Sequence, residues 1–256
     1  MTEPPPTPPR SVDWADPLPD ADVQRVLVVA AHPDDADFGA AGTIAAWVKA
    51  GIEVTLLLCT RGEQGGFDDT PRAEMPAIRE REQRAASAEL GVTDVRFLDG
   101  WSDGWLEPSW ELQHAIVRVI RQVRPQRVVC QSPQRMLQRL QASHPDHLAA
   151  GEATVRAVYP AAENRFAWPE LITDEGLEPW KVTELWLTAH AEVSHVVDIT
   201  DTFGAKVRAL QAHVSQTAHQ GAGLEEMLRS WNARNAAVGG LPEGRLAEVF
   251  AVSRIN

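Results

Sequence analysis

Val26-Leu27-Val28-Val29-Ala30-Ala31-His32-Pro33-Asp34-Asp35 is the stretch on which the reading of this chain turns. Its unbroken β-branched and apolar run predicts a strand buried on both faces, as in a parallel sheet. The run stops at an imidazole and two carboxylates. Pro33 has no N–H for a ladder and biases His32 toward extended backbone, so the strand ends here and a loop begins at its carboxyl end. In open α/β sheets that edge is where ligands sit.

Working outward, Gly39 to Ala50 reads as a helix with Ile44, Trp47 and Val48 on one face and Gly51 as its stop. Glu53 to Cys59 is a second buried strand. The polar connection from Thr60 to Pro76 is long enough to suggest a functional loop. A charged helix from Ala77 to Leu90, a strand from Asp94 to Leu98, a Gly- and Trp-rich loop (99–108), an amphipathic helix from Ser109 to Val123 and a strand from Arg127 to Gln131 follow. His144-Pro145-Asp146-His147 opens a helix from Leu148 to Val158. Val182 to Thr188 and Val193 to Ile199 read as strands, Thr202 to about Thr217 and Leu224 to Ala237 as helices. This alternation predicts an α/β fold, a Rossmann-like and mostly parallel sheet flanked by helices. If the strand order reverses beside the first strand, the loops after the first and fourth strands meet.

The length of 256 residues suits a single domain, expected over 23–256. Residues 1–22 hold seven of the eighteen prolines and are expected to be a disordered or extended tail, with Trp14 docked on the domain. A net charge of -12 argues against nucleic acid or an anionic membrane surface as partner. Cys59 and Cys130, each closing a predicted buried strand, read as core residues in a reducing compartment. No apolar run approaches the roughly 18 residues of a membrane span, and the N-terminal residues do not follow a signal-peptide pattern. The expectation is a cytoplasmic protein without membrane insertion, for which a homo-oligomer is compatible.

The chemistry concentrates in two clusters, His32, Asp34 and Asp35 with His144, Asp146 and His147. Two imidazoles and a carboxylate with a fourth position open are a ligand set for catalytic zinc, and a spare carboxylate is then free as a base. Adjacent Asp34 and Asp35 diverge in direction, so one can ligate while the other faces water. His144 and His147, three apart near a helix start, can likewise divide between metal and substrate.

These motifs, with Gly42-Thr43-Ile44-Ala45, Thr60-Arg61-Gly62-Glu63, Arg79-Glu80-Arg81-Glu82 and His213-Val214-Ser215-Gln216, resemble the zinc-dependent de-N-acetylases of the LmbE-like, or PIG-L, group. The resemblance runs over roughly residues 25–220. It implies zinc held by His32, Asp35 and His147, Asp34 as general base, and His144 as the acid or electrostatic group, oriented and tuned by Asp146. It also implies that Arg79 and Asp103 hold hydroxyls of an N-acetylglucosaminyl group, the substrate being a small amino-sugar conjugate. The lead-in Arg135 to Ser143 departs from the Gly-rich or aromatic approach common in that group, which bears on the substrate and not on the metal set.

Three other readings compete. Gly100-Trp101-Ser102-Asp103-Gly104 matches the G-x-S-x-G of a serine hydrolase, but Trp105 to Pro108 separates the serine from the next helix. A dinucleotide binder needs G-x-G-x-x-G, where this chain has only Gly39 and Gly42. A magnesium phosphotransfer site has little use for His32 or His147. Trp101, Trp105 and Trp110 can stack on a sugar or anchor a loop. His190, His195 and His219 lack ligand spacing, and His213 to Gln216 has no role derivable from sequence.

Overall fold

The computed structural model describes Trp14 and residues 16–255. Its elements are β1 (Arg25–Ala30), α1 (Asp35–Lys49), β2 (Glu53–Leu58), α2 (Met75–Glu89), β3 (Asp94–Phe97), α3 (Trp110–Val123), β4 (Arg127–Gln131) and α4 (Pro145–Arg156). The short α5 (Glu170–Thr173), β5 (Glu184–Thr188), β6 (His195–Asp198), α6 (Phe203–Ala212), α7 (Val214–Thr217), α8 (Gly223–Val238) and β7 (Ala247–Arg254) complete them.

The strands form one seven-stranded sheet in the order β3-β2-β1-β4-β5-β7-β6. β1 through β5 are parallel, and β7 runs antiparallel to both β5 and β6. Val28 lies opposite Leu56 on one side and Val129 on the other, so β1 is central and its alternate side chains feed two cores. Leu27 and Val29 pack with Ile116, Val128 and Ala150 beneath α3 and α4. Val26, Val28 and Ala30 pack with Ile44, Trp47 and Leu56 beneath α1 and α2. Two helices approach too closely for any side chain: a Cβ on Gly42 would lie 2.7 Å from Ile199, and one on Gly151 would lie 2.3 Å from the Gln131 carbonyl. The glycines of the dinucleotide reading therefore serve packing, not a phosphate.

Several boundaries differ from expectation. α1 begins four residues early, at Asp35, and α4 begins at Pro145, the first-turn position that proline favours. Asp35 and His147 thus belong to helices and not to loops. The helix expected from Thr202 to Thr217 breaks at His213 into α6 and α7. β7 was not expected. Its Glu248, 2% exposed, interrupts the apolar pattern and makes sense only beside Lys206, whose Nζ lies 2.6 Å away.

Of the Pro-rich segment, Leu18 and Asp20 are tied to the sheet. Buried Arg127 bonds Glu184 at 2.9 Å, Asp20 at 2.9 Å and the Leu18 carbonyl at 3.1 Å, while its guanidinium stacks over Trp47 and Trp186. Trp14 Nε1 donates to Glu192 at 3.0 Å. Residues 1–13 and 15, on which the tail expectation also falls, lie outside the described residues. Both cysteines are buried and unpaired, and burial pushes the Cys59 thiol up to about 12. Among the described residues no helix is long and apolar enough to cross a membrane.

Candidate functional site

β1 and β4 are neighbours at the point where the strand order reverses, so the two clusters meet at the carboxyl edge of the sheet, where α/β sheets bind ligands. Asp34 caps α1 in the left-handed region, φ 90°, a strained conformation for a residue with a Cβ. Two partners from α2 hold it there. Its N–H donates to Gln83 Oε1 at 2.9 Å, and its carboxylate accepts from Arg79 Nη2 at 3.0 Å. Arg79 also donates to the Gly62 carbonyl at 2.9 Å.

One residue on, Asp35 lies between two imidazoles. Its Oδ2 is 3.3 Å from His32 Nδ1 and its Oδ1 is 3.0 Å from His147 Nε2. One carboxylate thus draws two imidazoles together, the kind of nitrogen and oxygen donors a metal of this class takes. His144, the N-cap of α4, completes a triangle of imidazoles: one ring nitrogen each of His32, His144 and His147 lies within 4.8 Å of the others. The far nitrogen of His32, Nε2, is 3.0 Å from both Asp103 Oδ1 and Asp146 Oδ2. A ring nitrogen bonded to a carboxylate while its other nitrogen faces the ligand position is how histidines are oriented around metals. The residues present therefore fit a metal ion of the nitrogen- and oxygen-preferring kind.

The electrostatics follow from this crowding. Burial pulls the His32 imidazole down, but its bonds to Asp103, Asp146 and Asp35 outweigh that and push it up to about 12. Burial lifts Asp34 to about 6 against the pull of Arg79. His144 is depressed, by burial first and then by repulsion from its two neighbouring imidazoles. The cleft has a volume of about 420 Å³, within the range of small-molecule sites, and is lined by His32, Asp34, Arg79, Asp103, His144 and His147 among others.

All eight residues singled out from the sequence converge here, but two do so with other partners. Asp146 does not hold the His144 ring. Its carboxylate takes His32 and the N–H groups of Gly104, at 2.7 Å, and Leu106, at 3.3 Å, and only its backbone N–H reaches His144 Nδ1, at 3.2 Å. The first turn of α4 points that carboxylate inward, toward the loop after β3. Asp103, besides lining the cleft, touches His32 directly and accepts the Gln64 N–H at 3.0 Å.

Sequence reasoning missed Gln83 and the buried pair Asp37–His213, 2.8 Å apart. Gln83 Nε2 donates to Asp37 Oδ2 at 2.9 Å, so a chain of bonds runs from His213 through Asp37 and Gln83 to the Asp34 backbone. Arg79, Gln83 and Ser87, all buried, recur every four residues on α2, and that polar stripe was the available signal. Elsewhere on the same helix the charges are more exposed and pair with each other, as Glu80 does with Arg84. His213 belongs to a motif quoted for the resemblance, but its partner Asp37, 176 residues away, could not be read from that motif. Ser102 is exposed in a loop between β3 and α3, without the strand–serine–helix elbow of a serine hydrolase.

Residues 27–158 match the family model PIG-L, GlcNAc-PI de-N-acetylase. The chain is 35% identical over 196 residues to a diacetylchitobiose deacetylase of Thermococcus kodakarensis, covering 76% of this chain and 71% of the relative. It is 31% identical over 255 residues to a 1D-myo-inositol 2-acetamido-2-deoxy-alpha-D-glucopyranoside deacetylase of Rhodococcus erythropolis, covering 80% and 85%. The solved N,N'-diacetylchitobiose deacetylase of Pyrococcus horikoshii superposes with a TM-score of 0.81 at 28% identity, over 92% of this chain and 86% of the other. Sequence, fold and the two clusters agree, and the chain belongs to the PIG-L de-N-acetylase family.

Proposed function

We propose that this protein is a zinc-dependent hydrolase that removes the N-acetyl group from a small N-acetylglucosaminyl conjugate, acting in the cytoplasm. The observation that carries the reading is Asp35 between His32 and His147, with Asp34 beside it on an open cleft. The relatives support the substrate class, since both named sugars carry an N-acetylated glucosamine or chitobiose unit.

Zinc held by His32, Asp35 and His147 would polarise the amide carbonyl and activate water. Asp34 accepts the proton of the attacking water, its orientation fixed by Arg79 and Gln83. His144, on the α4 side of the cleft, stabilises the charge developing on the carbonyl oxygen or returns a proton to the leaving amine. Asp146 acts through His32, holding its Nε2. Arg79 and Asp103 line the same cleft and supply the donor and acceptor that sugar hydroxyls require. Zinc is favoured over magnesium because three imidazoles converge where magnesium would want oxygen.

The test is a screen of N-acetylglucosaminyl conjugates differing in the attached group, with free amine quantified with and without added zinc. Metal-dependent release from at least one conjugate is expected. Absence of release from all of them, by protein verified to contain zinc, would refute the reading.

A further inference from the structure

A second cavity, about 590 Å³, opens on the other side of the ligand cluster, beside the carboxyl ends of β4 and β5. Asp35 and His147 line both spaces, so the ligand pair stands at the boundary between them. The two spaces differ in chemistry. The first is polar, with Arg79, Asp103 and His144 facing it. The second is lined by Phe38, Trp231 and the buried Phe250, and by buried Leu187 and Ala251, whose side chains belong to the core on the other face of the sheet from Phe250. Its two buried charges are already spent. Lys206 and Glu248 pair with each other at 2.6 Å, Lys206 Nζ also donates to the Phe38 carbonyl at 2.6 Å, and Glu248 accepts the N–H groups of Gly42 and Thr43. The remaining charged groups, Arg139 and Glu192, are exposed.

An amide lying across the ligand pair sends its nitrogen substituent one way and its acyl group the other. With the sugar committed to the polar cleft, the acyl group faces the apolar lining. We propose that this second cavity is an acyl-chain site, and that the enzyme hydrolyses N-acyl glucosaminides with chains longer than acetyl. The inference rests on the deacetylase reading above. The chemistry is unchanged by chain length: water adds to the acyl carbon, the C–N bond breaks, the amine leaves with a proton, and the acyl group leaves as a carboxylate.

The experiment uses zinc-loaded full-length enzyme and a series of glucosaminides with one aglycone and acetyl, butyryl or hexanoyl on nitrogen. Buried CH₂ groups gain on the order of three- to fourfold each in binding, so kcat/KM is expected to hold or rise from acetyl to hexanoyl. Two variants narrow the cavity at different depths: Thr188→Leu, close to Gly39, and Val193→Trp, at a position 39% exposed. Each is expected to cut hexanoyl turnover at least tenfold and to leave acetyl turnover within about twofold, with melting temperature checked in both. A fall in kcat/KM with chain length in the unaltered enzyme overturns the proposal. So does loss of acetyl and hexanoyl turnover in parallel, or sensitivity of the variants to the aglycone and not to the acyl chain. Turnover of the acetyl substrate alone overturns only the longer-chain assignment, whereas no turnover of any member refutes the deacetylase reading itself.

Discussion

Asp34→Asn and Asp35→Asn are near-identical changes one residue apart, and the geometry gives them opposite consequences. Asp34 makes one side-chain contact to Arg79, at 3.0 Å, and an asparagine turned with its oxygen toward the guanidinium keeps it. What is lost is the ability to take a proton, which costs on the order of 10²–10⁴ in rate. Zinc content stays near one per chain. Asp35 instead offers one oxygen to His32 and the other to His147. An amide has one oxygen, so one imidazole loses its partner and the site loses a negative charge. Zinc affinity should fall by more than the 10–100-fold typical of changes one shell further out, and excess zinc should restore part of the rate. The assay is bound metal by elemental analysis and kcat, both across a buffered zinc titration. Zinc rescue of Asp34→Asn but not of Asp35→Asn would exchange the two roles, and near-normal activity in both would refute the catalytic assignment.

Four further outcomes are expected. Removing metal with a chelator should abolish turnover and lower Tm, since an ion at 1,000 times its Kd stabilises by about 4 kcal/mol; an unchanged Tm and rate would argue against a resident metal. Arg79→Ala should cost one to a few kcal/mol in kcat/KM on a sugar substrate with zinc retained, while Asp103→Asn should also weaken zinc, because Asp103 touches His32; equal zinc affinity in both would show that contact to be idle. His213→Phe leaves Asp37 buried with only Gln83 as partner and should cost about 3–5 kcal/mol at pH 6. Burial lowers the His213 pKa, but Asp37 outweighs it and the native value is raised above 6.5, so the pair's contribution is complete below 6.5 and fades as pH rises through the native value; urea melts of both proteins should converge toward alkaline pH. Ser102→Ala should be silent in kcat/KM, and a large loss would reopen the serine hydrolase reading.

The local sequence was sufficient for the scaffold because parallel strands buried on both faces leave an apolar signature of their own. Val26 to Ala31 and Glu53 to Cys59 could be read without knowing their neighbours, and the motifs at their ends marked the site-bearing edge. β7 could not, because a buried Glu248 looks like a loop residue until Lys206, 42 positions away, supplies the opposite charge. The same division runs through the site. Residue types and short spacings nominated His32, Asp34, Asp35, His144, Asp146 and His147. Which carboxylate meets which imidazole depended on where α1 and α4 begin, on the loop after β3 carrying Asp103 to His32, and on α2 packing Arg79 and Gln83 against Asp34. Those contacts join residues tens of positions apart. Side-chain chemistry is written in the sequence, but its pairing is decided by packing, and packing brought Asp146 to His32 and Asp37 to His213.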